Sequence, residues 1–430
     1  MQKTDLLYTN YCAILREELL PAAGCTEPAA IAFASARARE ELDGLPTHVD
    51  IAVSGNIIKN VRSVTVPNTG GLHGIKAAAA AGIVAGDSRK NLEVIGGLDA
   101  EQQAAIRRFM DATPMHVHML DGERVLEIRI TLRTDSASAC VCVTDAHTHI
   151  EYIEKNGARV FQAAVSVTRE ETDRQCLSVK DILDFARTVE LDDVRPLVER
   201  QIACNTAISQ EGLRQNSGAG IGCVLLKETG DAPHIRARAA AAAGSDARMS
   251  GCEMPVIVIS GSGNQGMAAT LPVIEYARHL GTSHDTLVRA LVLSSLVTIH
   301  LKTGIGRLSA YCGVVSAGAA AGAGIAYLHG GGFEEIAHTL INALAITSGI
   351  VCDGAKPSCA AKIAVAVDAG ITGYFMHKNG KQFCQGEGLV SKNLEKTIDN
   401  ISRLGREGMR PADKEIIAIM LNEENQESDG

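Results

Sequence analysis

Residues 308–332, LSAYCGVVSAGAAAGAGIAYLHGGG, make up the longest stretch of the chain without Asp, Glu, Lys or Arg, and Gly and Ala fill most of it. This run constrains the fold more than any other feature. A helix with such small side chains has little surface of its own, so it is stable only where neighbours close in on its backbone. It is weakly hydrophobic and ends in glycines, whereas a membrane span asks for about 20 strongly apolar residues. The run therefore predicts the inner helix of a close-packed helical bundle, with no membrane partner.

The chain has 430 residues, 46% of them hydrophobic, which suits two or three domains with a large interior. Net charge is −9, only 3% of residues are aromatic and Trp is absent. Nucleic-acid binding wants basic patches and stacking platforms, so no nucleic-acid partner is expected. The opening MQKTDLLYTNYCAILREELL has no apolar signal core and reads as an amphipathic helix, which predicts a cytoplasmic protein. Twelve cysteines in such a chain read as reduced thiols or metal ligands.

Residues 5–20 and 27–42 read as helices. Strand patterns then fill residues 45–170. HVDIAVSG and NVRSVTVP read as short strands, followed by a helix in GLHGIKAAAAAGIVAG and another in EQQAAIRRFMDA. A meander follows, with MHVHML and ERVLEIRITLR flanking Asp121-Gly122, then ASACVCVTD, then HIEYIEK and ARVFQAAV around Asn156-Gly157. Beyond about residue 175 the pattern is helical. The predicted class is α+β: an N-terminal α+β domain with a small mixed or antiparallel sheet, plus a larger all-helical C-terminal domain. The expected division is 1–44 (helices carrying the Cys25 loop, packed on the helical domain), 45–172 (α+β) and 173–430 (helical).

Several segments carry chemistry. In GCTEPAAIAFASARARE, Thr26 reads as an N-cap with Glu27 and Pro28 in the first turn. Cys25 then sits beside free N–H groups at the positive end of a helix, which favours a thiolate. A buried small residue is the plainer reading. Cys312, Cys352 and Cys359 lie at helix termini among small residues, in RLSAYCGVVSAG and GIVCDGAKPSCAAK. Three such thiols suit an iron–sulfur cluster, and they also suit three unrelated buried positions. The turn ISGSGNQGMAATLPV offers Ser262 and Asn264 before an apolar helix, an anion-binding candidate or a structural turn. VPNTGGLHG, with Asn68, Thr69 and Gly70, has the same character. Lys302 and Arg307 precede Cys312 closely enough for either to hold a substrate carboxylate. A zinc site could be drawn from His116 and His118, Cys140 and Cys142, or His147 and His149. Polar-face histidines and buried thiols explain these residues better.

Taken in order, AGCTEPAAIAFA, SGNIIKNVRSVTVPNTGGLHGIKAAAAAG, SGSGNQG and GRLSAYCG…CDGAKPSC resemble the bacterial and archaeal L-cysteine desulfidases, relatives of the serine dehydratase alpha chain. The resemblance covers nearly the whole chain. It implies that Cys312, Cys352 and Cys359 hold a [4Fe–4S] cluster with one open iron, in a helical iron–sulfur domain. It also implies that Cys25 is the general base for β-elimination of L-cysteine to pyruvate, ammonia and hydrogen sulfide. Thr26, Glu27, Asn68, Thr69, Gly70, Ser262, Asn264, Lys302 and Arg307 are the expected substrate-binding residues, and a homodimer is a candidate assembly. The nearest alternative is an L-serine dehydratase with the same cluster. A pyridoxal-phosphate dehydratase is less favoured, because SGNQG resembles a turn beside that cofactor but Lys227 and Lys302 are poorly placed for a Schiff base. A non-enzymatic cluster sensor would need a partner segment that the acidic chain does not show.

Overall fold

The computed structural model describes residues 1–23, 26–122, 124–164, 172–306 and 309–427. Its strands are β1 (Pro21–Ala23), β2 (His48–Val53), β3 (Met115–Met119), β4 (Glu127–Arg133), β5 (Ser138–Thr144), β6 (Ile150–Lys155), β7 (Ala158–Gln162) and β8 (Pro255–Ile257). Six of them form one mixed sheet in the order β3-β2-β4-β5-β6-β7, with β2 and β3 parallel and the other neighbours antiparallel. The alternation in β4 sets the faces: Ile128, Ile130 and Leu132 are buried, and Arg129, Thr131 and Arg133 face the other way. The helix Thr26–Glu40 covers the buried face together with the helix Gly74–Ala85. These two touch backbone to backbone, since a Cβ on Gly82 would stand 2.1 Å from the Ala32 carbonyl oxygen. The β6–β7 hairpin turns at Asn156 (φ 54°) and Gly157 (φ 77°), the left-handed pair that an Asn-Gly turn supplies.

Three details differ from the sequence reading. Strand β2 inserts between β3 and β4, so Asp121-Gly122 does not close a hairpin. Residues 60–67 are not a strand: Gly55–Val61 is a helix, and only Thr65 forms an isolated bridge, to His73. Within the helical part, β8 pairs with β1 as a two-stranded antiparallel ribbon.

Both large units are as expected from the α+β reading, a sheet in the N-terminal region and helices beyond it. The Gly/Ala run forms the helix Gly313–Leu328, walled in by the helices Gly263–Leu280, His284–Ile305, Phe333–Thr347 and Cys359–Lys378. Its glycines set the closest approach. A Cβ on Gly322 would stand 2.5 Å from the Gly370 carbonyl oxygen, and one on Gly318 would stand 2.4 Å from the Ala366 main chain. Among the described residues, two helices are long and apolar enough to cross a membrane, His284–Ile305 and Cys359–Lys378. Of their apolar windows, 78% and 56% are buried inside the protein.

Two cores result, and the chain passes between them. The first helix, Leu6–Glu18, places Tyr8, Tyr11, Ile14 and Leu15 in the helical core, with both tyrosines edge-on to Phe185 at 5.3 Å. The next helix, Thr26–Glu40, belongs to the sheet core, so the two helices of the 1–44 segment part company. At the other end, the helix Arg410–Glu427 returns to the sheet core through Ile417.

Candidate functional site

Cys312 is the N-cap residue of the helix Gly313–Leu328, and Cys359 is the first residue of the helix Cys359–Lys378. An isolated antiparallel bridge between Tyr311 and Val351 sets Cys312 beside Cys352. The Cys312 N–H donates to Ile350 O (3.1 Å), and the Cys352 N–H donates to Ala310 O (2.6 Å). Hydrogen bonding between the two thiols pulls Cys352 towards the thiolate and holds Cys312 protonated. Cys359 is close enough for its charge to act on both. Its thiol donates to Gly354 O at 3.3 Å. Backbone N–H groups are turned to all three sulfurs: Val314 to Cys312, Gly354 to Cys352 and Lys356 to Cys359.

Lysines surround the trio. Lys302 is only 8% exposed, and its ammonium donates to Gly306 O at 2.6 Å. Burial depresses its pKa, and Cys352 and Cys312 oppose that. Lys59, 3% exposed, reaches the same place from the sheet unit and draws Cys352 further towards the thiolate. It pairs with Asp413 at 2.5 Å. Lys362 donates to Val351 O at 2.9 Å and pairs with Asp353, which also pairs with Lys356. Burial works against the charge on Lys362, and the Asp353 carboxylate overcomes it.

Among the described residues, no three His, Cys, Asp or Glu side chains are set around a single-ion position. Buried ammonium groups would also repel a lone cation. Sulfur-only donors, N–H groups turned to them and nearby lysines instead fit a group of net negative charge such as an iron–sulfur cluster.

The other expected residues fall into three sets. Cys25 and Arg307 lie outside the described residues. Thr26 opens its helix as the first residue instead of preceding it as a cap, and its hydroxyl donates to Glu27 Oε2 at 3.3 Å. Glu27 Oε1 accepts from Asn60 Nδ2 at 3.1 Å, and Asn60 adjoins Lys59. Ser262 caps the helix Gly263–Leu280 by accepting from the Gln265 N–H at 3.4 Å. That helix start meets Cys312, because a Cβ on Gly313 would stand 2.7 Å from the Gln265 side-chain amide carbon. Asn264 and Gln265 are buried there, and their side-chain oxygens have no hydrogen-bond partner.

In the Asn68-Thr69-Gly70 turn the Thr69 hydroxyl and the main-chain carbonyls are bonded within the sheet unit. Thr69 donates to Val66 O at 2.8 Å and accepts from the Leu72 N–H at 3.2 Å. The carbonyls of Asn68 and Gly70 accept from Gln103 and Arg107. The zinc candidates stay apart from the trio. Cys140 and Cys142 are buried in β5, His118 lies 3.7 Å from Asp50, and His149 is bonded to Thr144 O at 3.1 Å.

Lys59 and Arg248 have no motif that would mark them in the sequence. Arg248 sits in an Ala-rich helix, Lys59 beside two isoleucines, and only tertiary packing brings them to the site. Gln265 directly follows Asn264 and shares the signal of that turn.

Comparison with known proteins agrees with this geometry. The chain is 55% identical to a UPF0597 protein of Desulfitobacterium hafniense, over 98% of this chain and 99% of that one. It is 48% identical to a UPF0597 protein of Lachnoclostridium phytofermentans, over 97% and 100% of the two chains. Identity to one from Finegoldia magna is 46%, over 96% and 99%. Residues 89–418, which hold all three clustered cysteines and the Ser262–Gln265 helix start, match the serine dehydratase alpha chain family. The chain therefore belongs to that family of iron–sulfur, serine-dehydratase-like lyases.

Proposed function

We propose that the protein is an iron–sulfur lyase that eliminates hydrogen sulfide from L-cysteine. The observation that carries this reading is the gathering of Cys312, Cys352 and Cys359 beside Lys59 and Lys302, with Cys312 and Cys359 at helix starts. The three thiols would hold a [4Fe–4S] cluster, which supplies a Lewis acid for the leaving group. Lys59 and Lys302 offset the negative charge of the sulfurs. Cys25, next to Thr26 at the start of its helix, takes the α-proton. Loss of sulfide leaves aminoacrylate, which tautomerises to an imine and takes up water. The sum is L-cysteine plus water giving pyruvate, ammonia and hydrogen sulfide. Thr26, Glu27, Ser262 and Asn264 would serve as substrate-binding groups.

A second reading is favoured by the family match itself: the same site eliminating water from L-serine. Sulfur ligands make a soft centre, which suits a thiol leaving group better than a hydroxyl. The test is to incubate anaerobically purified protein with each amino acid and measure pyruvate and sulfide. Pyruvate with equal sulfide from L-cysteine, at a kcat/KM above that for L-serine, supports the desulfidase. Turnover of L-serine alone makes it a serine dehydratase, and no pyruvate from either ends the lyase reading.

A further inference from the structure

Arg248 lies in the last turn of the helix Pro233–Met249 and is only 8% exposed. Its Nε has no hydrogen-bond partner, and no ion pair reaches it among the described residues. A buried guanidinium without a partner is costly, so its place calls for an anion that binds there. It points at the start of the 18-residue helix Gly263–Leu280: a Cβ on Gly263 would stand 2.8 Å from Arg248 Nε and 3.1 Å from its Cδ. Ser262 uses its hydroxyl and carbonyl on the N–H groups of Gln265 and Gly266, so those of Gly263 and Asn264 stay available among the described residues. A guanidinium and free N–H groups at the positive end of a helix make a carboxylate site.

We infer that Arg248 and the start of the Gly263–Leu280 helix bind the α-carboxylate of the substrate, a three-carbon amino acid; this rests on the lyase reading above. Two further observations select an amino acid over a phosphate. The orphaned side-chain oxygens of Asn264 and Gln265 are acceptors, which would repel a phosphate dianion but receive the N–H groups of an α-ammonium. The span is also short. Arg248 adjoins Gly263, Gln265 adjoins Gly313 next to Cys312, and two helical residues advance only about 3 Å. A molecule anchored at Arg248 reaches the cysteines with a three-carbon chain.

L-Alanine isolates this site, because it has the carboxylate and the ammonium but no leaving group. Its uncharged partner is L-alaninamide. Calorimetry on the anaerobic holoprotein is expected to show L-alanine binding about 10- to 100-fold tighter than L-alaninamide. Arg248→Met is expected to erase that difference, and Arg248→Lys to keep part of it. Without ligand, Arg248→Met is expected to melt at the wild-type temperature or above it, since it removes an unpaired buried charge. The proposal is overturned if Arg248→Met binds L-alanine as wild type does, if wild type does not discriminate against the amide, or if Arg248→Met melts well below wild type. The lyase reading fails separately. If neither serine nor cysteine yields pyruvate while L-alanine binding still depends on Arg248, the carboxylate site stands without that reaction. If Arg248→Met forms pyruvate at the wild-type KM, the reaction stands and the site falls.

Discussion

The Cα of Gly354 is pressed against the main chain of Lys59: a Cβ at Gly354 would stand 1.8 Å from the Lys59 carbonyl oxygen. Gly354 lies between Cys352 and Cys359, and Lys59 belongs to the helix Gly55–Val61. The cysteine loop is thus seated on the sheet unit, and its φ of 93° leaves little choice but glycine. Gly354→Ala adds backbone strain to a main-chain clash. It is expected to cost about 2–5 kcal/mol and to lower the iron retained after anaerobic reconstitution. Gly349→Ala is the control, because its Cβ would meet nothing within 4 Å. Unchanged iron and stability in Gly354→Ala would show that the loop does not depend on this seat.

Serine in place of Cys312, Cys352 or Cys359 is expected to reduce bound iron sharply in each case, because thiolates are the ligands iron–sulfur clusters prefer. Cys384 is exposed, with its thiol turned to Gln382 O, so Cys384→Ser is expected to bind iron as wild type does. Iron and acid-labile sulfide, measured per chain, decide the matter. Full iron in any one of the three variants would remove that cysteine from the ligand set.

How much of this was readable beforehand depends on how local each cause is. The Asn156-Gly157 hairpin was legible because both positions need positive φ and the two residue types supply it. The Gly313–Leu328 helix was legible because nothing but close packing can stabilise a Gly/Ala helix. The insertion of β2 beside β3 was not, since a parallel pair joined through three α-helices leaves no local signal. Val64 and Val66 alternate like a strand, yet the segment bends away after Val61 and joins the hydrophobic interior without a ladder. Among site residues, Cys312, Cys352, Cys359 and Ser262 were marked by their glycine-rich surroundings. Arg248 and Lys59 look like surface cations in the sequence, and only tertiary packing buries them.

Asp246 is buried, and its carboxylate accepts the Gly222 N–H at 3.2 Å. Burial raises its pKa from the ordinary 3.8 to about 6, against the pull of N–H groups from Gly222, Ile221 and Ala219. The folded chain therefore keeps a proton that the unfolded chain releases between about pH 4 and pH 6. Stability from this group is full below pH 4 and falls as pH rises through that window, by about 3 kcal/mol. Asp246→Asn keeps an acceptor for Gly222 and removes the charge. It is expected to be more stable than wild type at pH 7.5 and to lose that advantage at pH 4, as read by urea unfolding. Equal stability of the two proteins at both pH values would refute the buried-acid account.

Lys59 and Asp413 form an ion pair in which Lys59 is almost wholly buried. The pair ties the last helix to the site. Removing one partner leaves the other charge uncompensated, which is far costlier than removing both. Asp413→Ala is expected to cost about 3 kcal/mol, and Lys59→Met with Asp413→Leu to recover most of it. The double variant also takes a cation away from Cys352, so it is expected to regain stability without regaining full activity. Recovery of both would confine Lys59 to a structural role.

Cys25 separates the proposed chemistry from the iron site. It stands outside the proposed ligand set, so Cys25→Ala is expected to hold as much iron as wild type. A positioned general base is typically worth about 10²–10⁴ in rate. Pyruvate formation from L-cysteine is therefore expected to drop by that factor in Cys25→Ala. Cys25→Ser is expected to stay low as well, because a hydroxyl ionises far less readily than a thiol. A loss of positioning alone would behave differently: serine is nearly isosteric and would restore most of the rate. The measurement pairs iron content with pyruvate and sulfide release on one sample of each variant. Low turnover with full iron in both variants assigns the α-proton step to Cys25. Wild-type turnover with full iron in Cys25→Ala would leave that step to another group of the site.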